Sequence, residues 1–274
     1  MSIDLPPDFA QWLALREPAD VAARSTELVN TLRAALPGHG PFVVHDLGAG
    51  TGSLGRWLAP LLTGEQHWIL YDQDADLLAR ARAGMPATAA DGAPVTVETR
   101  QGDLTRLTAA ELAGAALVTA SALLDMLSAE ELDQLVAACA KAGCPALFLI
   151  SVTGTVRLTP ADPLDDEVAA AFNAHQRRTV NGRRLLGPDA IDACAAAFAR
   201  HGVDVELRPS PWQLGPDQAA LTVEWFTGWL DAARAERPDL TARTDEYARR
   251  RLAQAETGRL GVLVSHVDLL ALPR

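Results

Sequence analysis

The chain has 274 residues, with 35 acidic against 24 basic side chains and a formal net charge of −11. Hydrophobic residues make up 49% and charged residues 22%, close to a soluble globular average, which excludes wholesale disorder and leaves one large domain or two small ones. The negative field repels phosphate backbones, so nucleic acid is a poor default partner.

In chain order, the opening MSIDLPPDFAQW has neither a basic start nor an apolar run, so no signal peptide is expected. Residues 7–36 are predicted as helix, with Phe9, Leu13, Val21, Leu28 and Leu32 at helical spacing and a break near Pro18. A loop follows at Pro37–Pro41. Five apolar runs then read as strands: Phe42–Leu47, Trp68–Tyr71, Val95–Thr99, Ala116–Ser121 and Ala146–Val152. Helical patterns at Leu54–Leu62, Asp74–Ala83, Ala109–Leu112 and Ala129–Ala142 lie between them. Such alternation means βαβ units and a parallel sheet covered on both faces.

The rhythm then changes. A polar insert at 157–186 carries a predicted helix over Leu164–Arg178, and an alanine-rich helix runs from Gly187-Pro188-Asp189 to Arg200, ended by His201-Gly202. Val203–Leu207 is a sixth strand, 217–256 a second and mostly helical insert, and Leu260–Val264 with Val267–Leu272 a last strand. The expected organisation is an N-terminal helical segment at 1–40 and one α/β domain at 41–274 with two inserts. Both inserts are candidate lids over the carboxyl ends of the strands, where open α/β sheets bind ligands. Cys139, Cys144 and Cys194 are too few for a disulfide framework and lack a nearby histidine, so they read as buried hydrophobes and no metal site is expected. No stretch reaches the ~18 apolar residues of a membrane span. A cytoplasmic protein without membrane association is the expectation.

The strongest signal is the strand Val43–Leu47 running into Gly48-Ala49-Gly50-Thr51-Gly52 before a helix, because glycines let a backbone approach a ligand at the helix N-terminus. Gly50–Gly55 also fits the dinucleotide pattern G-x-G-x-x-G. Asp46 argues against that ligand, since a carboxylate beside the loop repels a pyrophosphate and suits a cation. The run Asp46–Gly52, DLGAGTG, resembles the first motif of the class I S-adenosylmethionine-dependent methyltransferases.

The resemblance covers roughly residues 40–155 and implies a Rossmann-like α/β fold. Its sheet is mostly parallel and seven-stranded, with helices on both faces, and the seventh strand is antiparallel. It implies S-adenosylmethionine as methyl donor and S-adenosylhomocysteine as product. Asp46, Gly48, Ala49, Gly50 and Gly52 fall in the first motif. Asp72, followed by Gln73, matches the second, where an acid accepts the ribose hydroxyls; a role as helix N-cap is the alternative. Asp103 and Leu104 match the third, where an acid takes the adenine amino group and the next amide a ring nitrogen. The fourth strand ends at Ser121, expected to line the donor.

The resemblance places Asp125 near the acceptor, as base or binding group, with a helix cap as the competing role. In the first insert, His175 among Arg177, Arg178, Arg183 and Arg184 suggests a second base and capture of an anionic acceptor, against a solvated helix end. Trp225 and Trp229 share a helix face, as substrate wall or as packing. Arg249–Arg251 read as a solvated face and His266 as structural. Methyl transfer to a small molecule at oxygen, nitrogen or carbon is the expected function. The alternatives are an NAD-dependent enzyme, disfavoured by Asp46 and Asp103, a nucleic-acid or protein methyltransferase, disfavoured by the charge, and a donor-binding protein without catalysis.

Overall fold

The computed structural model describes residues 9–36 and 41–273; residues 7 and 8 of the predicted helix and most of the predicted 37–41 loop lie outside them. Two helices, α1 (Phe9–Ala23) and α2 (Thr26–Ala35), replace the single predicted one. Pro18 lies inside α1, and the break falls at Arg24–Ser25. A proline removes one amide donor, but it is Ser25, extended and accepting from the Leu28 amide, that starts a new helix.

Strands β1 (Phe42–Leu47), β2 (Gln66–Asp72), β3 (Val95–Gln101) and β4 (Ala115–Ser121) are parallel, as is the start of β5 (Ala146–Thr159). Between them run α3 (Ser53–Leu58), α4 (Ala75–Gly84) and α5 (Ala129–Ala142). The predicted helix Ala109–Leu112 is a turn, held by the Thr108 amide and hydroxyl donating to Glu111. Four residues are too few to propagate a helix. The remaining elements are α6 (Asp165–Gln176), a hairpin of β6 (Thr179–Val180) and β7 (Arg183–Arg184), α7 (Ala190–Arg200), β8 (Asp204–Pro209), β9 (Trp212–Leu214), α8 (Ala219–Glu236), α9 (Leu240–Glu256) and β10 (Gly261–Leu272).

The main sheet runs β3-β2-β1-β4-β5-β10-β8, with β10 antiparallel to both neighbours. It has eight strands rather than seven, because β9 also pairs with β10. The order reverses between β1 and β4, which opens a crevice at the carboxyl ends of the strands. Strand β5 runs seven residues past its predicted end at Val152, to Thr159, because β10 pairs with it along its length. Side chains alternate across the sheet. Val44, Trp68 and Leu70 pack under α2, α3 and α4, whereas Leu47, Ile69 and Tyr71 pack toward α5 and α7. A third core joins α1, α6, α8 and α9 to β9 and to the paired ends of β5 and β10.

One buried carboxylate ties three segments together. Asp268 of β10 accepts from the amides of Ser25 and Ile150 and from the Ser210 hydroxyl, each at 2.7 Å. Its bond to Ile150 sits at a register shift in the β5–β10 pairing, where Ile150 adopts φ +55°, a strained angle for a β-branched residue. In the second insert Arg251 is buried, not solvated: it donates to both carboxylate oxygens of Asp165 and to the Pro160 carbonyl. No helix of the described residues is long and apolar enough to cross a membrane.

Candidate active site

The crevice at the strand ends is a cavity of about 680 Å³. Its floor is the glycine loop. Gly48 and Gly50 have φ of +66° and +53°, and a Cβ on either would stand 3.1 Å from a leucine, Leu123 or Leu13. Gly52, also left-handed, does not line the cavity: a Cβ there would meet Ala81 Cα at 3.0 Å, so it lets α3 pack on α4.

Three acids stand around this floor. Asp46 ends β1 and is 1% exposed; its Oδ1 accepts from the Thr119 hydroxyl at 2.8 Å, and its Oδ2 has no partner. Burial pushes its carboxyl up to about 7, although Thr119 and Arg24 favour the charged form. Asp72 ends β2 and accepts from the Gly50 amide at 2.9 Å and the Asp74 amide at 3.0 Å. It does not cap α4; Asp74 does, accepting from the Asp76 and Leu77 amides. Asp103 follows β3 and accepts from the amide and hydroxyl of Thr105, which hold its carboxyl down to about 2. Ala49, Gln73, Leu104 and Ser121 line the same cavity.

Beyond the loop the cavity widens under α1, α6 and α8. Asp125 lines it, half-buried, and burial pushes its carboxyl up to about 6. The capping role falls instead to Ser128, which forms a reciprocal box with Glu131. Trp225 is a wall of the cavity, whereas Trp229 stacks on it at 5.4 Å and packs in the core. Both inserts therefore reach the cavity, through Phe172, Arg183 and Trp225.

His175 does not line it. It lies 3.9 Å from Glu236 through Nδ1, and burial and Arg178 lower its pKa. Of the four arginines only Arg183 reaches the cavity, already paired with Glu131 and bonded to the Met126 carbonyl. Arg177 pairs with Asp189, Arg178 donates to the His175 carbonyl, and Arg184 is exposed.

Residues that sequence reasoning did not assign to the site complete it. Helix α1 lays Phe9, Trp12, Leu13, Arg16 and Asp20 over the cavity, at the i, i+3, i+4 spacing of one helix face. Arg24 is 4% exposed and donates to Ser53 and, at 3.3 Å, to the Ser121 hydroxyl. Trp212 and His266 close the far wall. The α1 spacing was visible in the sequence, but its target was not.

Residues 44–145 match the family model described as a methyltransferase domain. No curated protein matches the chain. Among solved structures, the YcgJ protein of Bacillus subtilis is 16% identical, with 90% of this chain and 98% of that one covered at a TM-score of 0.50. A methyltransferase from Geobacter sulfurreducens in complex with S-adenosyl-L-homocysteine is 19% identical, with both chains fully covered and a TM-score of 0.47. One from Thiobacillus denitrificans, with the same ligand, is 17% identical over 99% of this chain and 100% of that one at 0.46. Residues 44–145, with DLGAGTG at the first strand, are thus similar to a methyltransferase domain.

Proposed function

We propose that this chain transfers a methyl group from S-adenosylmethionine to a small-molecule acceptor held under α1, α6 and α8. The observation that carries the reading is the orphaned Oδ2 of Asp46 beside the glycine loop. A buried carboxylate without a partner is costly, and a ligand ammonium supplies both the charge and the donor it lacks. A pyrophosphate would make the same site worse. In this reading Asp46 takes the donor's ammonium, and Arg24 with Ser121 its carboxylate. Asp72 and Gln73 take the ribose, and Asp103 and Leu104 the adenine.

The bound donor supplies an electrophilic methyl on a positively charged sulfur. The chain holds the acceptor in line with it and excludes water, an arrangement worth on the order of 7–11 kcal/mol. Asp125, raised toward neutrality, takes the acceptor's proton as the new bond to carbon forms and the carbon–sulfur bond breaks. His175 has no part in this step, because it is outside the cavity.

Calorimetry tests the donor. S-adenosylhomocysteine should bind with a micromolar-range Kd and NAD should give no heat. Tight NAD binding would overturn the reading.

A further inference from the structure

A second buried orphan lies in the same cavity, on the acceptor side. His266 of β10 is 4% exposed, lines the cavity, and has no partner for Nδ1. The carbonyls of Val264 and Ser210 favour a proton on the ring, yet burial holds the imidazole neutral, down to about 3. A neutral imidazole carries one ring proton, and in the Nε2–H tautomer the unpartnered Nδ1 presents a lone pair.

The walls around it are aromatic, and their arginines, Arg16 and Arg183, are each paired with a carboxylate. The Trp212 ring stands 5.2 Å from the imidazole, and Trp12 stands 6.5 Å from Trp212. Phe9, Phe172 and Trp225 add further faces. Arg16 lies 5.0 Å over Trp212, and its Nε and Nη2 donate to Asp20, at 3.0 and 3.1 Å. The Trp212 indole N–H also donates to Asp20, at 3.0 Å. Arg183 is spent on Glu131. Each arginine on these walls already pairs with a carboxylate, so an anionic acceptor would have to compete with Asp20 or Glu131, and a strongly polar one would strip water for no return. A flat ring fits the aromatic faces, and one donor on it fits the orphaned nitrogen.

We infer that the acceptor is an uncharged aromatic compound whose hydroxyl or N–H donates to Nδ1 of His266, which makes His266 the residue that orients it. This deepens the methyltransferase reading and rests on it. Because the ring stays neutral, His266 orients the acceptor, and the proton of the reacting group still goes to Asp125.

Equilibrium dialysis on the full chain decides it, with 1-naphthol, naphthalene and 1-naphthoate as probes, with and without S-adenosylhomocysteine. 1-Naphthol should bind about tenfold or more tighter than either analogue, since only it is both uncharged and a donor. His266→Phe should bring 1-naphthol down to the naphthalene level. His266→Asn, whose side-chain oxygen reaches the place of Nδ1, should restore most of the preference. S-adenosylhomocysteine affinity should be unchanged in both, which also reports that they fold. The inference is overturned if 1-naphthoate binds as well as 1-naphthol, if His266→Phe keeps the preference, or if 1-naphthol does not bind. Failure of S-adenosylhomocysteine alone to bind would instead sink the donor assignment, while the three probes still decide the chamber.

Discussion

Asp72 and Asp74 sit two residues apart and do different work. Asp74 caps α4 through the Asp76 and Leu77 amides, and Asp72 holds the Gly50 amide at the tip of the glycine loop. Each Asp72 oxygen keeps a second lone pair for a ribose hydroxyl. Asp72→Ala should therefore weaken S-adenosylhomocysteine by at least tenfold, about 1.4 kcal/mol. Asp74→Ala should leave that affinity within twofold and cost about 1 kcal/mol of stability. Calorimetry and urea unfolding of the two variants check this; equal losses of affinity would show that Asp72 acts through the fold. At this scale the grouping of the three acids was legible from their places at strand ends, Asp46 in the last two residues of β1, Asp72 at the end of β2 and Asp103 two residues past β3, and all three line one cavity. His175 misled for the opposite reason. Its neighbouring arginines suggested a binding patch, but each carboxylate that answers them is remote in sequence or already engaged, as with Glu131 and Asp189.

Among the elements, α1 has the least regular sequence signal and a direct position over the site. Leu13 lies over Gly50, Trp12 meets Trp212, and Glu17 pairs with Arg56 of α3, with the Arg56 Nε at 2.8 Å. The helix is a roof fastened to the donor loop's own helix. A half-exposed ion pair is worth about 0–1 kcal/mol, too little to decide folding but enough to change how often the roof lifts. Glu17→Ala should speed S-adenosylhomocysteine release roughly two- to fivefold and leave stability within about 1 kcal/mol. Stopped-flow dissociation measures it, and an unchanged off-rate would mean that ligand leaves by another route. The roof could not be read in advance. Periodicity shows that a helix has an apolar face, not what that face covers. Strand β9 was missed because three residues, Trp212–Leu214, are too few to show a period of two. The far half of β5 was missed because its partner, β10, lies more than a hundred residues away. The glycine loop and α5, by contrast, are specified by contiguous residues, down to the Ser128–Glu131 box.

For the whole molecule, the buried titratable groups set a pH dependence that the donor should change. Burial raises Asp46 to about 7 and Asp125 to about 6, and also raises Asp268. It lowers His45 to about 4 and His266 to about 3, and also lowers His175. A raised acid contributes stability that is present below its unfolded pKa and lost as pH rises through the folded one. A depressed histidine contributes stability that is present above about 6.5 and lost as pH falls toward its folded pKa. Between about pH 5 and 7 the acids and the histidines therefore pull in opposite directions, and the stability of the unliganded chain should be nearly flat. Asp46→Asn removes one acid and keeps the Thr119 bond on the amide oxygen. At pH 5 the native Asp46 is neutral but the unfolded one is already ionised, so the variant should already be somewhat more stable than wild type. The gap should widen as pH rises from 5 to about 7 and level off above it, where the native carboxylate is ionised too. S-adenosylhomocysteine should reverse the order above pH 7, because its ammonium pairs with the native carboxylate and not with the amide. Thermal melts at pH 5, 6, 7 and 8, with and without S-adenosylhomocysteine, read both effects. A pH-independent difference between the two proteins would show that Asp46 does not titrate in this range. Equal stabilisation of both by S-adenosylhomocysteine would show that the ammonium goes elsewhere. The expected crossing follows from one oxygen, the Oδ2 of Asp46, which is buried without a partner.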